Sequence, residues 1–597
     1  MVKVAVFGAG MAGLSAAHEL RKVPDFEVDV YERSDHIGGK SSNQYGGSLP
    51  SGTDGREDLP GEHGFRFFPG FYRNIIRTME EIPVTDPGNV RGRLVGSPDV
   101  GMARDDLAFL TFPRHAHIGR LSELLPRMLN MYEKLDFSPE DIYRMAWFNI
   151  KYMTSSEARR LEKYDDISWW DFVDAESPRY TDAYRQFQAA IPRTMSALVA
   201  QHSSALVVGD VTMQFLLLTP GGSTPDRLLD GPTDEAWLRP WQAYLTTAGD
   251  GLSAVNFHFK HELTGIQLAA GGGSVASMTV VNHEPEGGGG PVEETIVADH
   301  YLVAVPVERF VPLLTPEMRA ADPQLQALFD SYNIDTWTGW MNGMQVGLKE
   351  DVPMVSGHAF YPSSAWALTS ISQAQFWAHR GPVEDRFGDG NTRGVLSIII
   401  SDWKTAGDGY PPADQMPSRE ALKETAMSQL RFELSDTPEF DLDPANITYV
   451  HLDSGMQTTG PGGWSNETPL LLHPEKAYDA RPDADSAISN LFLASDFIKT
   501  NVKLATMEGA CEAARRAVGA INRAEGIPIE PDVWDLYEPE TLEPFKLLDE
   551  AMMARGKDHI MDQFPLNLLL DAPGLMPFLP HILEFVEGLF PNGESPS

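Results

Sequence analysis

Apolar residues run unbroken from Val4 to Phe7, give way to glycines, and then recur at Leu14, Ala17 and Leu20. The run predicts a buried strand and the spaced positions a helix. A further apolar run in FEVDVYER, ending at Glu32, predicts a second strand. Residues 38–64 are rich in turn formers (GGK, YGGSLPSGTDG, PGEHG), and residues 86–244 read as mostly helical, with helical apolar spacing in SELLPRMLNMYEKL and DAYRQFQAAIPRTMSALVAQ. From about residue 253 the period shortens. AVNFHFKHELTGIQL, VASMTVVN and VEETIVADHYLVAVPV are β-rich runs divided by glycine-rich turns, which predicts a meander of strands leading into a buried one. Residues 330–480 mix strands (GWMNGMQVGL, GVLSIIISDW) with helical stretches; ISNLFLASDF then predicts another buried strand and ATMEGACEAARRAVGAI a helix. Elements suited to a mononucleotide fold thus stand at the start, in the middle and at the end, with two other blocks between them.

The turn after the first strand reads Gly8-x-Gly10-x-x-Gly13. Gly8 would permit a tight turn, Gly10 would let the backbone approach a pyrophosphate, and Gly13 would let the helix pack close to the strand. The helix then directs the positive end of its dipole at the phosphates. Glu32 places a carboxylate at the end of the second strand, where it can accept hydrogen bonds from a ribose diol. The glycines alone leave open whether the dinucleotide is NAD or FAD.

Composition narrows the setting. A chain of 597 residues is too long for one compact core, so two or three domains are expected. Its 85 acidic residues against 47 basic ones give a formal net charge of −38, a surface that repels nucleic acid and anionic head groups. The single cysteine, Cys511, allows no intrachain disulfide framework, and no metal site is expected. With a strand starting at residue 2 and no stretch of about 20 uninterrupted apolar residues, a cytoplasmic enzyme is expected. There is no HExxH, nucleophile elbow or Walker-type phosphate loop.

FGAGMAGLSAAHEL, VYERSDHIGGKSS, GEHGFRFFPGFYRN, HYLVAVPVERF and NLFLASDFIKTNVKLATMEGACEAARRAV together resemble the FAD-dependent amine oxidase and phytoene desaturase superfamily, over roughly residues 1–525. EHGFRFFPGFYRN and GHAFYPSSAWALTSISQAQFW are most similar to the branch holding plant-type phytoene desaturases and hydroxysqualene dehydroxylases. The resemblance implies an α/β fold with three parts. An interrupted Rossmann-like, glutathione-reductase-like FAD-binding domain would comprise residues 1–85, 245–315 and 485–527; a mixed α+β substrate domain would comprise residues 86–244 and 316–484; an apolar C-terminal extension would follow at 528–597.

It also implies non-covalent FAD. Gly8, Gly10, Met11, Ala12, Gly13, Glu32 and Arg33 would serve the dinucleotide turn and ribose, and the backbone of Leu263 the adenine. Gly39 and Lys40 match the family's GGR, whose cation faces the pyrophosphate; lysine keeps the charge and loses the bidentate geometry. Gly64 and Phe65 match the segment beside the isoalloxazine, and Asp496 the acid reaching the pyrophosphate and ribityl region. The helix beginning near Ala505, Thr506 and Met507 would aim its dipole at the flavin N1 and O2 edge. Ser495 stands where the family usually has glycine, which puts the local backbone geometry in question.

The family's amine oxidases usually carry an aromatic residue just before that helix and a lysine near flavin N5. Here Thr506 takes the first position, and NGMQVGLKE offers only Lys349, near its far end. Phe65, Phe67, Phe68, Phe71, Tyr72, Trp337, Trp340, Phe360, Tyr361, Trp366, Phe376 and Trp377 concentrate in the matching cofactor-facing and substrate segments, and as a set they predict a hydrophobic tunnel. His63 and Arg66, flanking Gly64, are the candidate catalytic residues, a proton donor and a cation. His358 and Arg380 read as structural, and Cys511 as a small core residue.

The expected reaction is desaturation or reductive dehydroxylation of a hydrophobic, isoprenoid small molecule. An amine oxidase, a flavin-dependent lipid double-bond isomerase and a non-catalytic flavin-binding subunit are the alternatives. FPLNLLLDAPGLMPFLPHILEFVEGLF in the extension is broken by Pro565, Pro573, Pro577 and Pro580, so it cannot span a bilayer as one helix. Packing or homodimerisation is expected of it first, and peripheral membrane contact second.

Overall fold

The computed structural model describes residues 1–104, 107–114, 137–217, 226–249, 251–285, 288–437, 440, 442–460, 462–563 and 567. Strand β1 (Val2–Phe7), helix α1 (Met11–Leu20) and strand β2 (Phe26–Glu32) form the expected βαβ unit. All ten residues of α1 are buried, not one stripe of them. The helix lies between the sheet and a second helix, α2 (Met507–Ala524), and its alanines and glycine permit that close approach.

Three later strands, β3 (Val255–Phe259), β4 (His300–Val303) and β5 (Leu491–Leu493), complete a five-stranded, wholly parallel sheet in the order β3-β2-β1-β4-β5. Val4 pairs with His300 and with Val28, and Leu302 with Phe492. Parallel pairing demands long crossovers, and this chain uses them to carry everything else.

The run AVNFHFKHELTGIQL is not one meander strand. Its first part is β3, on the edge of the parallel sheet; Lys260 then takes φ +61 and the chain enters the antiparallel meander His261–Leu268, Val275–Asn282, Val292–Ile296.

A second sheet of seven strands runs in the order Ile447–Leu452, Asn342–Leu348, Gly394–Ile400, Leu368–Ser372, Gly357–Phe360, Asp99–Arg104, Leu107–Pro113. Its last two members fall in the stretch that reads as mostly helical, as do Leu94–Gly96 and Arg227–Leu229, which pair with each other. Asp99–Arg104 pairs antiparallel with the adjacent Leu107–Pro113, and its parallel pairing with Gly357–Phe360, a non-local partner that no local spacing reveals, joins both to the sheet. Helices Pro139–Thr154, Asp182–Ser196 and Ala205–Leu217 supply the helical remainder. The pattern SELLPRMLNMYEKL lies outside the described residues.

Beyond α2 the chain straps itself to both halves. Asn522 donates to the carbonyl of Ile529 at 2.8 Å, and Arg515 donates to that of Asp532 at 2.8 Å while its guanidinium sits 5.5 Å from the Trp534 ring. Helix α3 (Glu543–Met553) then docks on the helix Pro139–Thr154 and the turn Glu157–Arg159. No helix among the described residues is long and apolar enough to cross a membrane. The apolar run from Phe564 onward, Asn567 excepted, and the contacts expected of it lie outside the described residues.

Candidate functional site

A cavity of about 1280 Å³ opens at the carboxyl ends of β1, β2, β4 and β5 and continues to the second sheet. That exceeds the roughly 300–1,000 Å³ of a single small-molecule site, so it has room for a dinucleotide and a second ligand together.

The first chamber is built by the glycine turn. Gly8 takes φ +104, and a Cβ there would lie 2.6 Å from the carbonyl oxygen of Ala304. A Cβ on Gly13 would lie 1.8 Å from the carbonyl oxygen of Gly8, so Gly13 seats the helix behind the turn and does not itself line the cavity. At Gly10 nothing lies within 4 Å of such an atom, and the turn faces open space there. Helix α1 starts with no side-chain cap and no acidic residue in its first turn. Its leading amides point a positive potential at a place suited to an anion. Met11, Ala12, Arg33, Gly39, Lys40 and Leu263 line the same chamber.

Glu32 stands at the end of β2 with its carboxylate oriented by three donors: the amide of Ala9 at 2.7 Å, and the amide and hydroxyl of Ser34, each at 2.9 Å. Unused lone pairs remain for a ribose diol. Lys40 lines the chamber while its ammonium donates to the carbonyl of Pro469.

On the far side, Asp496 follows β5 and accepts from the Ser495 hydroxyl at 3.2 Å. Ser495 lies outside the left-handed region, so its backbone does not call for glycine. Thr506 is the N-cap of α2, its hydroxyl accepting from the Gly509 amide at 3.0 Å, and Ala505, Thr506 and Met507 all face the cavity. Glu508, in the first turn, directs its carboxylate elsewhere: it accepts from the amides of Arg73, Asn74 and Ile75 and caps the helix Asn74–Glu81. The α2 dipole is thus left facing the cavity. These groups fit FAD: an uncapped helix for its phosphates, a carboxylate for its ribose and a second helix terminus for its ring edge.

His63, Gly64 and Phe65 also line the cavity. His63 Nδ1 lies 2.6 Å from Oδ2 of the buried Asp453, a residue that no motif marks and that lies 390 positions away. Asp453 also accepts from Gln44 at 2.6 Å and Asn342 at 2.5 Å. Burial pushes the Asp453 carboxyl up, but the imidazole and these hydrogen bonds outweigh it and hold the group well below the usual carboxylate range. An ionised Asp453 keeps a proton on Nδ1 of His63 and leaves Nε2 available for exchange.

Other expectations need correction. Arg66 does not line the cavity: its guanidinium donates to the carbonyl of Lys40 at 2.9 Å and braces the GGK turn. His358, expected to be structural, does line it, whereas Arg380 pairs with Asp230 at 3.3 Å and Glu235 at 3.0 Å. Of the twelve aromatic residues, Phe65, Phe67, Phe71, Tyr72 and Phe360 face the cavity. Phe68 and Trp337 belong to the core under the parallel sheet, Trp340, Tyr361 and Trp366 to that of the second sheet, and Phe376 and Trp377 to a smaller cluster. Neighbours such as Phe67 and Phe68 are divided because successive strand residues point to opposite faces. Lys349 lies past the end of its strand and donates to the carbonyl of Ala445 at 2.6 Å.

The chain matches, over residues 11–522, the family model described as flavin containing amine oxidoreductase. It is 23% identical over 544 residues to 15-cis-phytoene desaturase of Synechococcus elongatus, covering 87% of this chain and 96% of that one. It is 22% identical over 568 residues to zeta-carotene desaturase of a Synechocystis species, covering 87% and 97%. Among solved structures, a variant of putrescine oxidase superposes with a TM-score of 0.54 at 16% identity, over 87% of this chain and 99% of that one.

Proposed function

The chain belongs to the flavin containing amine oxidoreductase family and is an FAD-dependent oxidoreductase; from that premise we propose that it acts on carbon–hydrogen or carbon–carbon bonds of an apolar, isoprenoid substrate. The observation that carries this reading is the apolar share of the cavity lining beyond the dinucleotide turn, which includes Phe65, Phe67, Phe71, Phe360, Ile399 and Leu471. Two relatives named as desaturases, of phytoene and of zeta-carotene, support it. Thr506, a helix cap where an amine cage would need an aromatic side chain, weighs against amines.

Bound FAD supplies two-electron exchange at carbon. The Gly8–Gly10 turn, α1, Glu32 and α2 would hold it, and the phenyl rings give the cavity an apolar wall. His63, held by Asp453, takes or returns a proton at Nε2.

Anaerobic addition of polyisoprenoids, carotenoid precursors, fatty acids and amines to the FAD-loaded protein tests the reading. Bleaching of the oxidised flavin band by an isoprenoid is the expected outcome, and bleaching by amines alone overturns it.

His63→Gln and Asp453→Asn should each lower turnover by about 10²-fold while FAD content stays stoichiometric. Loss of flavin in both variants would assign the pair to folding instead. The Asp453 carboxyl is depressed on folding, so its contribution to stability is complete above the unfolded value near pH 4 and is lost as pH falls toward the folded one. The stability gap between the protein and Asp453→Asn should therefore narrow as pH falls below about 4.

A further inference from the structure

We propose that the segment beyond α2 positions the cofactor site: Glu538 completes a ladder of buried charges that fixes the chain entering α2, so that docking of this segment and binding of FAD favour each other. The family match ends at residue 522, short of Glu538. Leu504, Ala505, Thr506 and Met507 line the cavity at the open end of α2. The chain that delivers them, from Lys503 to Ala505, belongs to no helix or strand. Side chains hold it. Arg481 donates to the carbonyl of Lys503 at 2.8 Å, the Ala505 amide donates to Nε2 of His473 at 2.9 Å, and the Lys503 ammonium donates to Asp210 at 2.7 Å.

Asp210 is contested. The Tyr152 hydroxyl donates to its Oδ1 at 2.8 Å, and Nη1 of Arg160 stands 3.6 Å from that same oxygen. Arg160 comes no nearer because Nη1 donates to Glu538 at 2.6 Å, while Nη2 donates to the carbonyls of Tyr152 and Met153 at 3.0 and 3.2 Å. Lys546 of α3 meets the other oxygen of Glu538, and Gln214, on the same helix as Asp210, donates to the carbonyl of Tyr537 at 2.9 Å. Charge therefore alternates in sign from Lys503 through Asp210 and Arg160 to Glu538. The first three are buried and by themselves carry one net positive charge, which Glu538 cancels. Without the Glu538 carboxylate, the guanidinium turns to Asp210, competes with Lys503 there and loosens the chain that leads to the flavin. A coupling of this kind acts equally in both directions, so bound FAD also holds the segment beyond α2 in place.

The test strips FAD from the full-length protein and titrates it back, with binding read from flavin fluorescence. Glu538→Gln should bind FAD about tenfold more weakly. Glu543→Gln, the same loss of charge at an exposed position of the same segment, should bind it as the unaltered protein does. Adding Arg160→Met to Glu538→Gln removes the competitor for Asp210 and should recover affinity, which a general loosening of the fold would not do. In the unaltered protein, FAD should slow proteolytic release of the segment beyond α2 more than it slows cleavage elsewhere, a measurement that decides the question even where a variant does not fold. Unchanged affinity in Glu538→Gln, an equal loss in Glu543→Gln, no recovery in the double variant, or a segment that FAD does not protect would each overturn the proposal.

Discussion

Gly13→Ala will leave the protein without FAD and with a stability loss of at least about 3 kcal/mol, beyond the usual range of overpacking. The added Cβ would meet the Gly8 carbonyl oxygen at 1.8 Å and its carbon at 2.9 Å, both backbone atoms that no rotamer change can move. Nor is Gly8 free to retreat: its amide donates to the carbonyl of Tyr31 at 2.8 Å, and the Ala304 carbonyl lies close beside it. Ala304 is in turn tied to β1 by its amide, which donates to Phe7 at 2.8 Å. Relief must therefore come from lifting α1 off the sheet, which displaces the amides that face the phosphates. Flavin content by absorbance and unfolding in urea would both show it. Gly10→Ala is the matched control: nothing stands within 4 Å of the new methyl, so stability should be kept and only FAD affinity should fall. A Gly13→Ala protein carrying stoichiometric flavin would refute the packing argument.

Asp549→Ala should cost about 3–5 kcal/mol, the penalty for leaving one member of a buried ion pair alone. Asp549 is 1% exposed and Arg159 6%; they meet at 2.8 Å, and Asp549 also accepts from the amide and hydroxyl of Ser156 at 2.8 and 2.9 Å. Removing the carboxylate strands the guanidinium and two further donors in a site closed to water. Limited proteolysis should then release residues from about 528 onward well before the rest of the chain is cut. The double variant Arg159→Met, Asp549→Leu removes both charges and should recover most of the loss. A single variant as resistant as the parent would mean that the extension is held by its strap along α2 alone.

Local pattern was enough for β1, α1 and β2, and for the chemistry of the turn between them. Gly8, Gly13 and Glu32 act on neighbours a few residues away or on the next strand, and each demand is written into the residue type itself. The cofactor residues outside that unit, from Lys40 to Leu263 and Asp496, are legible through motif resemblance, and all of them line one cavity.

Other features could not be read that way. Asp99–Arg104 joins the seven-stranded sheet because Gly357–Phe360 lies beside it, and His63 has its orienting partner because Asp453 folds back across 390 positions. Phe360 faces the cavity and Tyr361 the core by their position across a sheet, though their side chains are nearly alike. His358 reads as structural in the sequence; only the fold sets it among three phenyl rings at the cavity wall. Short-range geometry and residue type were enough for the nucleotide turn, whereas the family and the cofactor were legible through motif resemblance. Tertiary structure alone decided which side chains meet, since burial and pairing are properties of the whole packed chain and not of any stretch of it.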